Sequence, residues 1–253
     1  MITVLLALLL QAEPRPFDAR VEQAQQLRTR GLPGDALDLL AAVEADAKKK
    51  KDPVSEGRAL QKRGDLRLDV NDCQGAKTSY EAALQSFGKA DPFATAQTWN
   101  DLGMWAKHCS SPDDQKTFFA SALGIYEELR EQKGIRKIAN NLGTAHFNAG
   151  DKATAVGFFK KAAAAAQTLE DDEGLSTAQA NIALMELLLA QERLDSECVD
   201  FTASQKADRG FHRAVAAFAE AARTAKRMGK PPLWVCAKFG IFSDSCEPCL
   251  IKR

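Results

Sequence analysis

The chain has 253 residues, with lysine plus arginine at 34 and aspartate plus glutamate at 34, so its formal net charge is zero. That balance supplies no global field for nucleic acid or for an anionic membrane. Alanine, leucine, glutamate and lysine dominate while valine, isoleucine and tyrosine are sparse, which suits helix and argues against an extensive sheet.

Residues 1–12 differ from everything after them. Met1 to Leu10 are apolar apart from Thr3, and this run is short of the roughly 20 residues that span a bilayer. It fits the apolar region of a secretory leader, with Ala12 as the small residue at a cleavage point. No lysine or arginine precedes it, and Leu10 is larger than usual two positions before Ala12. The expectation is an exported protein, periplasmic or extracellular, with no membrane span once the leader is removed.

Beyond the leader the chain repeats. Ala24, Gly64, Gly103, Gly143 and Ala183 mark one register, with about 40 residues between marks. Bulky residues follow the first four at Leu40, Tyr80, Phe119 and Phe159, each succeeded three places on by a small one: Val43, Ala83, Ala122 and Ala162. Such a period signals stacked units, none able to bury its apolar face alone. Each unit reads as an antiparallel helix pair, A then B. In the clearest, helix A is expected from about Arg136 to Asn148 and is closed by Ala149-Gly150, and Asp151 caps helix B. Ala155, Phe158, Phe159, Ala162 and Ala166 then give the spacing of one apolar face. Equivalent turns lie at Gly31-Leu32-Pro33-Gly34-Asp35, Val70-Asn71-Asp72 and Ser110-Ser111-Pro112-Asp113. The small residues should sit where helices A and B press together, with Leu102, Leu142 and Ile182 filling the core beside them.

The fifth unit is irregular. Ala183 opens its helix A in register, but the next apolar helix, Ala214, Phe218 and Ala221, arrives late, after a polar stretch from Arg193 to Gly210. Either that stretch is an insertion, or it is a poorly patterned helix B and Arg213–Arg227 is a terminal cap. Gly229 and Pro231-Pro232 end the helical pattern, and residues 231–253 form a tail bearing cysteines and aromatics.

The residues Trp99, Leu102-Gly103, Asn141-Leu142-Gly143, Gly150-Asp151, Ala155, Phe159 and Ala162, with Leu60, Gly64, Ala76, Tyr80 and Ala83, resemble the tetratricopeptide repeat family in a longer variant. The resemblance covers roughly residues 17–230. It implies an all-α fold, a right-handed α-solenoid of about five antiparallel helix pairs within residues 13–230. It also implies a non-enzymatic scaffold whose A helices line a concave groove for a peptide or protein segment. In that family asparagines on helix A hold the backbone of an extended peptide. The matching positions are Asn100, Asp101, Asn140, Asn141 and Asn181, with Lys137, Thr144 and Phe147 beside them and Arg58 and Lys62 on an earlier unit. An asparagine offers both donor and acceptor to a peptide group; the residues alone leave open that these merely solvate the helix surface. Asp65 and Met104 stand where recognition of a C-terminal carboxylate would need asparagine or lysine.

Six cysteines are too few for a disulfide scaffold. Cys73 and Cys109 lie at nearly equivalent places in successive units and are a possible disulfide, or two unrelated thiols. Cys246-Glu247-Pro248-Cys249, with Cys236 earlier, can be a structural disulfide or idle thiols, a metal site short of a ligand, or an exchange motif without its helix context. His108, His146 and His212 have no partner at metal-ligand spacing, and no phosphate loop or nucleophile elbow is present. No cofactor, metal, nucleic acid or small-molecule substrate is expected. The other function to weigh is a structural subunit of a cell-envelope complex, acting through the end repeat and the tail.

Overall fold

A computed structural model describes residues 17–196 and the isolated residues 216 and 223. Among the described residues all regular structure is helical, and the chain divides into two compact units, Met1–Ser110 and Ser111–Arg253. The first holds α1 (Asp18–Thr29), α2 (Pro33–Lys49), α3 (Pro53–Asp69), α4 (Cys73–Phe87) and α5 (Pro92–Cys109). The second holds α6 (Pro112–Glu128), α7 (Gln132–Asn148), α8 (Lys152–Thr168) and α9 (Asp172–Ser196).

Most of the described helix junctions share one device, the ends of α4 at Gly88 and of α5 at Ser110 excepted. Gly31, Lys51, Asn71, Arg130, Gly150 and Glu170 each take a left-handed conformation. The next residue's N–H returns to a carbonyl of the helix just ended: Asp52 to Ala47 at 3.0 Å, Asp72 to Arg67 at 2.8 Å, Asp151 to His146 at 2.9 Å. This is the Schellman closure. The same acidic residue then caps the following helix, as Asp52 accepts from the Ser55 N–H, Asp72 from Gly75, Asp151 from Thr154 and Asp171 from Gly174. One residue thus ends one helix through its backbone N–H and begins the next through its side chain. Prolines in the first turn of α2, α3, α5 and α6 sit where a missing N–H leaves no bond unmade.

In the first unit each helix packs on its successor, and α1 also touches α3, as α3 touches α5. Those next-but-one contacts make α1, α3 and α5 an inner layer, with α2 and α4 outside it. Leu40, Val43 and Ala47 of α2 bury against Val21 and Ala24 of α1 and Ala59 and Leu66 of α3. Tyr80 of α4 lies across Gly64 of α3, where an added Cβ would fall well inside van der Waals contact with the ring. The second unit repeats this: a Cβ on Gly143 of α7 would lie 2.5 Å from the Phe159 ring of α8. Ala155, Val156, Phe159 and Met185 form the core between α8 and α9.

One helix boundary departs from expectation. Helix α7 begins at Gln132 rather than near Arg136, with the Glu131 carboxylate accepting the Gly134 N–H. Gly134 reads as a break in the sequence, yet it lies inside the helix because the Tyr126 ring covers its bare Cα. Gly57 does the same under Phe87, where a Cβ would approach to 2.7 Å. The leader at 1–12, the stretch after Ser196, the helix at Arg213–Arg227 and the 231–253 tail with its Cys-x-x-Cys lie outside the described residues.

Candidate functional site

The inner helices of the first unit are tied together by polar side chains one repeat apart. Arg58 Nη1 donates to Asp18 Oδ1 at 2.8 Å, and Gln61 Nε2 to Asp101 Oδ2 at 2.6 Å. Arg28 grips Asp69 through two nitrogens, one at 2.9 Å. Between these links lies a pair of carboxylates. Asp65 accepts the Tyr80 hydroxyl at 3.0 Å and pairs with Lys62 at 2.8 Å. Burial, and then the Asp65 charge, push the Asp101 carboxyl up from 3.8 to about 6, against the hydrogen bond from Gln61, the Lys62 charge and the hydrogen bond from Asn100. Burial, then the Asp65 and Asp101 charges, also raise the Tyr80 phenol. Asn100 is only 4% exposed and donates to Asp101 at 3.2 Å. Asn100 and Asp101, expected on the groove surface, are therefore engaged within the helix stack.

In front of this network is an open cavity of about 440 Å³. Its walls are Asp18, Val21, Glu22 and Gln25 of α1, Arg58, Gln61 and Lys62 of α3, and Phe93, Ala94 and Gln97 of α5 with the capping Asp91. Phe93 is 44% exposed, and Phe93, Gln97 and Met104 recur at i, i+4 and i+11 as exposed residues of α5. Arg58 and Lys62 are among the residues expected on the inner helices, whereas Glu22, Asp91 and Phe93 are not. Asp18 and Arg58 stand at the same register, six before Ala24 and Gly64.

In the second unit Asn181 Nδ2 donates to Asn140 Oδ1 at 3.0 Å, joining α7 to α9. Asn141 is half-buried, while Lys137 and Thr144 are exposed, the Thr144 hydroxyl donating to the Asn140 carbonyl at 3.0 Å. Phe147 is half-buried and packs against the Ala155–Phe159–Met185 cluster. His146 stacks on Phe158 with centroids 5.2 Å apart and contacts Asp151 at 3.1 Å.

Cys73 and Cys109 are joined in a disulfide with their Cα atoms 5.8 Å apart, within the usual range. It pins the first residue of α4 to the last of α5. Trp105 braces it by donating Nε1–H to the Cys73 carbonyl at 2.8 Å, and Lys77 lies over the indole at 5.3 Å. Among the described residues no group of histidine, cysteine, aspartate and glutamate could hold a metal ion, and no helix is long and apolar enough to cross a membrane.

The chain resembles several solved structures. It superposes on the nearly identical TPR-like repeats of a Podosopora anserina protein assigned as a kinesin light chain. The TM-score is 0.58 at 14% identity, over 81% of this chain and 95% of that one. The fold is of the tetratricopeptide-repeat type. BtubC (BKLC) from P. vanneervenii matches with a TM-score of 0.52 at 16% identity, covering 85% of this chain and 93% of that one. MamA protein matches at 0.52 and 15% identity, covering 83% and 92%. No family model matches the sequence, and no curated protein matches it.

Proposed function

We propose that this protein is a non-enzymatic scaffold that holds a peptide or protein segment against the inner helices of its repeats. The carrying observation is the open cavity of the first unit, built entirely from α1, α3, α5 and the cap of α5, with polar walls and an exposed Phe93. Concave sites of mixed polar and aromatic lining, open to solvent, suit an extended segment better than a small enclosed substrate. Within the second unit, taken by itself, the Asn140–Asn181 pair places polar side chains between α7 and α9.

Affinity capture from the native host tests this. Phe93→Ala combined with Gln97→Ala should abolish capture of the partner, while Glu81→Ala with Gln85→Ala, on the exposed side of α4, should leave it intact. The reverse pattern would overturn the assignment.

We also propose export from the cytoplasm. The apolar leader at residues 1–12 supports this, as does the Cys73–Cys109 disulfide, since such bonds persist in oxidising compartments. N-terminal sequencing of the mature protein should begin at or near Glu13; retention of Met1 would contradict it.

A further inference from the structure

We infer that the cavity between α1, α3 and α5 receives a positively charged side chain, lysine or arginine, from the bound segment; this rests on the inner-face reading above. The decision comes from which charges in the wall are already neutralised. Both cations of the lining are held within the chain, Arg58 by Asp18 at 2.8 Å and Lys62 by Asp65 at 2.8 Å. Two lining carboxylates are not. Glu22 is exposed on α1, and neither Glu22 nor Asp91 has a cationic partner among the described residues. The Asp91 carboxylate accepts the Ala94 N–H at 3.0 Å. That hydrogen bond leaves its charge in place.

An anionic side chain entering here would meet Glu22 and Asp91, and would have to displace Asp18 or Asp65 to reach a cation. A cationic one leaves the Arg58–Asp18 and Lys62–Asp65 pairs in place. It gains two carboxylates and the exposed Phe93 face, whose quadrupole attracts a cation lying above the ring. The Gln25 and Gln97 side-chain carbonyls in the same wall can accept from a guanidinium or an ammonium. The cavity volume of about 440 Å³ takes one long side chain with its accompanying water.

The test is isothermal titration of the full chain at low salt with two capped probes, tetra-arginine and tetra-glutamate. Tetra-arginine is expected to bind and tetra-glutamate not to. Glu22→Gln with Asp91→Asn should weaken tetra-arginine about tenfold, as should Phe93→Ala, and raised salt should do the same. Asparagine keeps the helix cap at position 91, so a thermal melt unchanged from wild type separates lost binding from lost fold. Tetra-glutamate binding as tightly, or tetra-arginine binding that ignores all three substitutions, would overturn the inference. Should Phe93→Ala with Gln97→Ala still abolish partner capture in that event, the scaffold reading stands and only the charge assignment fails.

Discussion

Asn181 donates its side-chain amide to Asn140 at 3.0 Å across 41 residues of sequence. Gln61 and Asp101 make the equivalent contact at 2.6 Å across 40. In both, the residue three before the small position of one inner helix meets the residue two before it on the next. Polar side chains at this register therefore bind neighbouring repeats to each other before they offer anything to a partner.

The ladder should be measurable as coupling. Asn140→Ala and Asn181→Ala should each destabilise by about 1 kcal/mol. Because they share one bond, the double variant should cost less than the sum of the singles. Urea unfolding of the four proteins checks this; strict additivity would mean the contact contributes nothing.

Asp101 should give the protein a pH-dependent stability. Its folded value, about 6, lies above its ordinary 3.8, so the native state binds the proton more tightly than the unfolded chain. Linkage then makes stability fall as pH rises from about 4 to about 6, and stay lower above that. The size is on the order of 1–3 kcal/mol. Asp101→Asn should flatten this window and stabilise the protein at pH 8. Urea midpoints at pH 4.5 and 8 for both proteins decide it.

Gly143→Ala should destabilise despite alanine's better helix propensity, because the new Cβ meets the Phe159 ring at 2.5 Å. Overpacking of this kind costs about 1–3 kcal/mol. Phe159→Leu in the same protein should recover part of the loss in a thermal melt.

Lys51, Arg130 and Glu170 sit at the left-handed closure position, where glycine stands at 31 and 150. A side chain there costs about 1–2 kcal/mol, and glycine returns part of that as unfolded-state entropy. Each change to glycine should therefore raise stability by up to about 1 kcal/mol, read as a higher melting temperature.

Reducing the Cys73–Cys109 bond, which closes a separation of 36 residues, should lower stability by about 2–4 kcal/mol. Melting with and without reductant measures it, and Cys73→Ser with Cys109→Ser should reproduce the reduced protein.

Much of the fold was legible because the repeat sets large against small. Gly64 with Tyr80 and Gly143 with Phe159 needed only their spacing to be paired, and Asp151 and Pro112 announced helix starts by local chemistry alone. The start of α7 was hidden because Gly134 looks like a break until the Tyr126 ring is placed over it. The site was harder. Periodicity puts Asn100 and Asp101 on an inner helix, but whether they face solvent or the next inner helix depends on how closely α3 and α5 approach. Phe147 is half-covered for a related reason, since α9 supplies neighbours that pack against it. Phe93, in the first turn after Pro92, carries no signal until the cavity is seen.

Photo-crosslinking tests the central claim most directly. A benzophenone amino acid placed at Gln97 faces the cavity of the first unit; one at Glu81 is exposed on α4 outside it. With partner present, the Gln97 probe should give the adduct and the Glu81 probe none. An adduct from Glu81 alone, or equal yields from both, would contradict binding at the inner helices.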